Sequence, residues 1–201
     1  MLKIVRLFLI VLILKIMMFN EKILYGAEGI IKIVKVEESP LIDGDLSDVV
    51  WQKATKLTGF VLHNKNEPAK FQTKVFLCYD EKALYIGFIC EDPNDKLVAN
   101  IKEDDGPVHL DDCVEVFIKP GTKGEYYHFV VNSINTRVDQ RNWGIPIKQD
   151  NEWDGEWQSA TKVIKNKEWI VEMAIPWYNF AQDMGTEPWS INLCREKRTE
   201  P

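Results

Sequence analysis

Residues 74–91 read KVFLCYDEKALYIGFICE. Two apolar runs, Lys74–Tyr79 and Leu84–Glu91, flank the polar loop Asp80-Glu81-Lys82-Ala83, a pattern that predicts an antiparallel hairpin. In this hairpin Tyr79 faces Leu84, so Cys78 and Cys90 point to opposite faces of the sheet. A disulfide requires Cβ atoms ~3.5–4.5 Å apart, which opposite faces do not allow, and no Cys78–Cys90 bond is expected.

The same alternation continues on both sides of the hairpin from Ile30 onward. Short runs rich in Val, Ile, Phe, Tyr and Trp are separated by Asp, Asn, Gly and Pro, which is typical of strands and turns. The sequence predicts an all-β fold, an antiparallel Ig-like or jelly-roll-type β-sandwich. Strands are predicted near residues 30–36, 57–63, 70–79, 84–91, 113–118, 126–132, 157–164, 168–175 and 188–195.

Helix is predicted only at two single turns. Ser47 and Asp48 are candidate caps for a turn through Trp51 to Ala54. Pro176 ends the strand 168–175, because proline cannot donate to a ladder, and opens a second turn through Phe180. Residues 133–156 are predicted to form a long polar loop.

The composition fits one domain with a substantial core. The chain has 201 residues, of which 45% are hydrophobic, 11% aromatic and 28% charged. The first residues differ: Lys3 and Arg6 precede an apolar run, 7–14, that Lys15 interrupts. This is the pattern of a secretory signal, and a spanning helix needs ~20 apolar residues. We therefore expect residues 1–27 to be a signal peptide, or alternatively an N-terminal anchor, residues 28–201 to be the domain, and the protein to be secreted, periplasmic or on the cell surface.

The charge and the cysteines exclude two classes of function. Residues 1–27 contain four basic residues and one acidic residue, so the remainder has 21 basic and 30 acidic residues, a net charge of −9. Such a surface repels phosphate backbones, and nucleic acid is not expected as a partner. The four cysteines lack the spacing of a zinc site or a dense disulfide framework, and buried free thiols are expected.

Five blocks of the sequence, taken in order, resemble carbohydrate-binding module family 9. They are LIDGDLSDVVW (41–51), YDEKALYIGF (79–88), DDCVEVFI (111–118), YHFVVN (127–132) and WIVEMAIPW (169–177). The resemblance covers roughly residues 38–198. It implies an Ig-like sandwich that binds sugars, often chain ends, between aromatic rings, with structural calcium in some members. Such modules are usually attached to glycoside hydrolases, so the resemblance implies a role in carbohydrate catabolism.

The resemblance also assigns positions within a sugar site. Glu115 and Asn132 match sugar-contacting positions of the family. His109 stands where the best-known members have a stacking Trp, and Val130 stands where they have an Arg. The second stacking Trp follows the last strand in the family, so we expect the family domain to continue beyond Pro201.

Independently of the resemblance, the residues favour a carbohydrate site. Sugars present apolar C–H faces and hydroxyl rims, which require flat aromatic rings and planar polar groups. Glu115 lies between Cys113 and Phe117 on one face of its strand, where an unpaired buried carboxylate is costly. It is expected to face a ligand, or else to be satisfied by a neighbour. Trp143 and Trp153, in a polar loop, are candidate stacking rings, whereas Trp51 and Trp169 fit core patterns.

Calcium is a candidate ion for this chain, although no cofactor is required by the prediction. Asp43, Asp45 and Asp48 crowd one turn, and a second acidic cluster surrounds Gly106-Pro107. Calcium takes several oxygen ligands from such loops. Neither stretch has the D-x-[DN]-x-[DN]-G spacing, and solvated acidic loops are the alternative.

The sequence leaves three other functions open. Asp111 and Glu115 are a conceivable glycosidase pair, but no hydrolase or P-loop motif accompanies them. Haem binding requires an axial pair in one pocket, for which His128 and Met173 are the candidates, although Met173 fits a core stripe better. An assembly module is the third. We expect a non-catalytic domain whose partner is an oligo- or polysaccharide, with membrane attachment only through residues 1–27.

Overall fold

The computed structural model shows two β-sheets packed face to face. It describes the strand 4–12 by its backbone, and residues 30–199 except 64, 66, 122–123, 145, 151 and 181–188. All named strand pairs are antiparallel except β2 with β5, which is parallel. The predicted fold class, an antiparallel β-sandwich, is confirmed.

The first sheet has seven strands, in the spatial order β10 (Lys148–Asp150), β9 (Arg137–Trp143), β8 (Tyr126–Asn132), β7 (Cys113–Lys119), β13 (Trp189–Glu196), β1 (Ile4–Leu12) and β4 (Val61–Leu62). The second has the order β11 (Gln158–Ile164), β12 (Glu168–Pro176), β6 (Ala83–Glu91), β5 (Thr73–Tyr79) and β2 (Val34–Lys35), with β3 (Thr55–Leu57) also paired to β5. Strand β1 lies within the predicted signal peptide, and its pairing leaves that prediction untested.

The core lies between the two sheets and follows the predicted alternation. Trp169, Val171, Met173 and Ile175 on β12 are all 0% exposed. They meet the inward residues of β7 and β8, such as Phe129, in one continuous cluster. Full burial of each such side chain contributes ~1.5–3 kcal/mol, which explains why the alternating apolar residues determine the fold.

The hairpin of β5 and β6 has the predicted register. Tyr79 pairs with Leu84, and Cys90 lies in the core between the sheets, whereas Cys78 lies in a separate cluster on the other face of the second sheet. The prediction that Cys78 and Cys90 do not face each other is confirmed. All four cysteines are buried free thiols, and burial raises the pKa of Cys78 to about 12.

The predicted loop 133–156 was wrong in its central part, where β9 and β10 form an edge hairpin. The alternation of β9 escapes notice because both of its faces are largely polar. Arg137, Asp139 and Arg141 lie on one face and only Val138 is buried and apolar on the other. Asp139 is nonetheless buried, since its carboxylate accepts hydrogen bonds from the Trp157 indole (2.8 Å) and from a backbone amide.

The segment between β2 and β3 covers the outer face of the second sheet. It contains the turn around Gly44 and the helix α1 (Val49–Lys53), whose Trp51 is 2% exposed. The buried Glu172 of β12 accepts bonds from the backbone amides of residues 43–45 and, at 2.8 Å, from the Trp51 indole. Gly44 has φ +86° and lies against the Thr161 backbone, where a Cβ would approach within 2.9 Å, so the turn requires glycine.

Of the two predicted caps, Ser47 and Asp48, only Asp48 lies at the N-cap position. Asp48 occupies the N-cap position but makes no capping bond, because its carboxylate accepts the Leu41 backbone amide at 2.9 Å. The second predicted turn is confirmed as the 3-10 turn Trp177–Phe180, and another covers Val108–Leu110. In the part of the chain that the structure describes, no helix has the length and apolarity needed to cross a bilayer.

Candidate functional site

The outer face of the first sheet presents a row of polar and aromatic side chains. The register pairs Asn192 of β13 with Phe117 of β7, Phe117 with His128 of β8, and His128 with Gln140 of β9. Side chains directly opposite each other lie on the same face, so these four form a row across the strands. A parallel row contains Ser190, Lys119, Tyr126 and Asn142.

Phe117 and His128 form the centre of this face. Their rings stack at a centroid distance of 3.9 Å with planes 10° apart, and both side chains are half-buried. His128 Nε2 lies 2.8 Å from a carboxylate oxygen of Glu115, which is 9% exposed. The ring centroid of Tyr126 lies 6.4 Å from that of Phe117. The result is a flat aromatic platform with an oriented carboxylate beside it, which suits the C–H face and hydroxyl rim of a sugar.

Two amide side chains near this platform have unused hydrogen-bonding atoms. Asn142, opposite Tyr126, is 1% exposed, and among the described residues neither its amide nitrogen nor its oxygen has a hydrogen-bond partner. The Oδ1 atom of Asn192, opposite Phe117, is likewise buried and unpartnered. An unsatisfied buried amide costs ~1–3 kcal/mol, so such groups mark places where water or a ligand is bound.

Sequence reasoning missed Phe117, Gln140, Asn142 and Asn192 as site residues. Gln140 and Asn142 were assigned to a loop, because both faces of β9 are largely polar and no apolar stripe marks the strand. Phe117 was placed correctly on the face of Glu115 but was treated as a neighbour of the carboxylate rather than as a platform.

One end of the outer face is closed by the segment before β7. Val108 of the 3-10 turn packs with Cys113, Val130 and Val138 in a small cluster on this face. The side chain of His109 is exposed on that turn, which packs against β7 and β8. His109 therefore borders the face, whereas Glu115 lies within it.

Asn132 has a structural role at this closed end, which departs from its predicted contact with a sugar. Its Nδ2 donates to the Ile101 carbonyl and to Asp111, and its Oδ1 accepts the amides of Ile134 and Thr136. The side chain is 0% exposed. An asparagine side chain has two donor hydrogens and two acceptor lone pairs, so none is left for a ligand.

The two loop tryptophans lie apart from the platform. Trp153 is half-buried, and its ring centroid is 5.2 Å from that of Tyr127 and 6.0 Å from that of Phe129, so it extends the core. Trp143 is half-buried at the end of β9, opposite Lys148 at the edge of the sheet. The structure thus does not bring either ring beside Glu115 through a described contact.

The acidic turn proposed for calcium is engaged in protein contacts. Asp43 Oδ1 accepts the Asp45 amide, Asp45 Oδ2 pairs with Lys162 at 2.7 Å, and the carboxylate of Asp48 holds an amide of the same segment. Among the described residues, no three His, Cys, Asp or Glu side chains are grouped so as to hold a metal ion. Calcium binding stays a prediction.

The alternative functions find no common site. Asp111 is 1% exposed and accepts the backbone amides of residues 100 and 101, so it acts as a structural acceptor rather than as a partner of Glu115. His128 lies on the outer face of the first sheet, whereas Met173 lies in the core on the second. The two cannot ligate one haem iron from a shared pocket.

Comparison with known proteins agrees with the fold. Residues 42–193 match the family model described as carbohydrate family 9 binding domain-like. The chain belongs to this family. The family model begins at the Ile42 turn that wraps around Glu172 and ends within β13, so it spans both sheets of the sandwich. No curated protein matches the chain.

Three solved structures share the fold of this family 9 domain. A family 9 carbohydrate-binding module from Caldicellulosiruptor kristjanssonii, in complex with cellotriose, is 21% identical with a TM-score of 0.51, covering 71% of this chain; the chain spans 65% of that module's length. A module of the same organism in complex with glucose is 17% identical with a TM-score of 0.51, and the match covers 81% of this chain and 84% of that module. A candidate carbohydrate-binding protein from Bacteroides uniformis is 16% identical with a TM-score of 0.62, covering 84% and 91%.

Proposed function

We propose that this domain binds carbohydrate, without catalysis, on the outer face of the first sheet. The observation that carries the proposal is the stacked Phe117–His128 pair with the Glu115 carboxylate at 2.8 Å from the imidazole. Family membership supports the ligand class, and the unpartnered amides of Asn142 and Asn192 support the extent of the site.

A saccharide would lie across the strands on this face. The row from Asn192 to Gln140 crosses four neighbouring strands, which at ~4.8 Å per step extends ~14 Å. The sugar ring stacks on the aromatic platform, and its hydroxyls donate to Glu115 and exchange bonds with the amide side chains. A shallow, open site of this kind is expected to give a Kd between ~1 μM and 1 mM.

The first ligands to test are gluco-oligosaccharides. The two modules from Caldicellulosiruptor kristjanssonii were solved with cellotriose and with glucose. We propose the same sugar class for this chain because it belongs to the same family. A longer ligand should bind more tightly than glucose if the whole row takes part.

The proposed setting is an exported protein that supports polysaccharide degradation or uptake. Its support is the basic start and apolar run before residue 28 and the net charge of −9 in the rest. Mass spectrometry of the protein recovered from the cell exterior tests this. A mature N-terminus near residue 28 supports export by a cleaved signal, and an intact Met1 in the cytoplasm contradicts it.

Titration calorimetry with cellotriose and glucose tests the site. Glu115→Gln and Phe117→Ala should each weaken cellotriose binding about tenfold to a hundredfold, since each removes ~1.5–3 kcal/mol of contact. Phe76→Ala is the matched control, because Phe76 is a half-buried phenylalanine on the opposite sheet, beside Lys56.

The possible outcomes separate the alternatives. Affinities equal to wild type in both site variants contradict the site, and no binding by wild type to any saccharide contradicts the function. Reducing sugar released from polysaccharide by wild type, and lost in Glu115→Gln while binding persists, would instead identify an enzyme. The same titration in calcium and in chelator tests whether calcium contributes.

A further inference from the structure

A recess separate from the Phe117–His128 platform lies where the outer face of the second sheet meets the start of β9. It has a volume of about 500 Å³, within the range of ~300–1,000 Å³ typical of small-molecule sites. It opens between the segment that covers the second sheet, the ends of β6 and β12, and the chain before β11. We call it the rim cleft; the lining residues that matter for its chemistry are Lys82, Tyr85, Arg137, Trp157, Gln158 and Tyr178.

Arg137 is held in a fixed position at one wall of the rim cleft. Its guanidinium lies 5.0 Å from the centre of the Trp157 ring, and Nη1 donates to the Trp157 carbonyl at 2.8 Å. Asp104 approaches Nε only to 3.9 Å, and its side chain is 56% exposed, so solvent screens this pair. Nη2 has no partner among the described residues, which leaves donors of a positioned cation for a ligand.

Tyr178 also lines the rim cleft and exposes an aromatic ring. It is 56% exposed, and its hydroxyl donates to Glu156 at 2.9 Å. The backbone of Glu156 is fixed in turn, because Asn179 accepts its amide and donates to its carbonyl. The ring is thus oriented by two neighbours although most of one side faces solvent, which is the requirement for a stacking surface.

Two further groups of the rim cleft are free to bind. Lys82 is exposed and has no ion pair among the described residues, and its backbone amide is anchored by Asp80 at 2.7 Å. The amide of Gln158 is also exposed and has no described partner. The carboxylate of Glu156 already accepts the Tyr178 hydroxyl. Within an acidic protein, the rim cleft therefore offers two available cations and an aromatic ring.

We propose that the rim cleft binds an acidic saccharide, a uronic acid unit of an oligosaccharide. The carboxylate of the sugar pairs with Arg137 and Lys82, its ring stacks on Tyr178, and Gln158 binds a hydroxyl. A planar carboxylate matches the two-donor geometry of a guanidinium, whereas a neutral sugar uses neither charge. This proposal does not rest on the platform site, since the two share no lining residue.

The test is titration of the whole domain with digalacturonic acid, and with cellobiose as the neutral disaccharide of similar size. Digalacturonic acid should bind, and its Kd should rise as sodium chloride is added, because salt screens the ion pairs. Lys82→Gln and Tyr178→Ala should each weaken it about tenfold. Lys165→Gln, which removes an exposed lysine from the turn between β11 and β12, should leave it unchanged.

Each contrary outcome overturns the proposal. The rim cleft is not an acidic-sugar site if millimolar digalacturonic acid fails to bind, if cellobiose competes for the same Tyr178-dependent site with equal affinity, or if Lys82→Gln binds like wild type. Loss of digalacturonic acid binding in Phe117→Ala, with Tyr178→Ala unaffected, would place the ligand on the platform. The proposed platform site is tested separately, by whether cellotriose binding depends on Phe117.

Discussion

Replacement of Glu172 tests how the covering segment, the chain between β2 and β3, is attached to the second sheet. The side chain is 0% exposed, and its Oε2 accepts the amides of Asp43 (2.9 Å), Gly44 (2.7 Å) and Asp45 (3.2 Å). Its Oε1 accepts the Trp51 indole at 2.8 Å. Glu172→Ala removes all four bonds at once and leaves the Gly44 amide and the Trp51 indole buried without their acceptor.

The magnitude follows from the number and kind of these bonds. Hydrogen bonds to a charged acceptor contribute ~1.5–3 kcal/mol each, but they are not additive, and breaking a buried charged cluster typically costs ~3–5 kcal/mol. We expect Glu172→Ala to lower the free energy of unfolding by ~3–5 kcal/mol. Trp51→Phe, which removes one donor and keeps most of the ring, should cost ~1–2 kcal/mol.

Urea unfolding, followed by tryptophan fluorescence, measures both effects at constant m-value. Glu168→Ala is the control, because Glu168 lies on the same strand and the same face but, in the part of the chain that the structure describes, pairs only with the exposed Lys167. It should cost less than ~1 kcal/mol. A cost for Glu172→Ala no greater than that of Glu168→Ala would refute the reasoning.

The pH dependence of the Glu172 contribution has a definite sign. Burial raises the pKa of Glu172, and the amides of residues 43 and 44 and the Trp51 indole offset only part of that rise. The native state then holds this proton more tightly than the unfolded chain, so the contribution is full below the ordinary value of 4.5 and is lost as pH rises through the folded pKa. The loss of unfolding free energy caused by Glu172→Gln should therefore become smaller from pH ~4 to pH ~7. A loss that grows over this range would show that the hydrogen bonds outweigh burial.

Three further predictions concern stability. Trp169→Ala should cost ~3–5 kcal/mol, measured by urea unfolding, since the ring is 0% exposed; an unchanged midpoint would remove it from the core. Burial raises the pKa of Asp80, but a serine hydroxyl, two backbone amides and a tyrosine hydroxyl outweigh it, so the pKa lies below 3.8. The ionised Asp80 carboxylate therefore stabilises the fold above pH 3.8, and this stabilisation is lost as pH falls through the folded pKa. Asp80→Asn should cost ~1–3 kcal/mol of unfolding free energy at neutral pH and less toward pH ~2 in acid-unfolding curves. A cost that does not change with pH would contradict this. Asn132→Ala should cost ~2–3 kcal/mol in thermal melts, yet the folded variant should bind cellotriose like wild type, and a selective loss of affinity would restore Asn132 to the site.

The strands that sequence could predict are those with one purely apolar face. The stripe Trp169, Val171, Met173 and Ile175 has period two because it meets the opposite sheet, and the hairpin register follows from the same rule. Strand β9 could not be found this way. Its inward face carries Asp139, whose burial depends on a hydrogen bond from the distant Trp157, and no local pattern encodes that partner.

The candidate site was predictable in part for the same reason. Glu115 was identifiable because a carboxylate interrupts an otherwise apolar strand. Phe117 and His128 are adjacent only through the register of β7 and β8, so their stack depends on pairing that sequence leaves unspecified. Asn132 has the right residue type at the matching position, but Asp111 and a tight turn occupy all its bonding groups.

The buried hydrogen-bond cluster around Glu172 and the half-buried platform lie on different sheets. This separation affects how the protein can evolve. Substitution of Phe117, His128 or Gln140 alters half-exposed contacts on one sheet and leaves the bonds that attach the covering segment untouched. Because folding stability limits which mutations are tolerated, positions with small stability costs accumulate variation fastest. If the platform binds sugar as proposed, lineages of this domain should exchange one sugar preference for another by single steps there, while Gly44, Trp51 and Glu172 change more slowly.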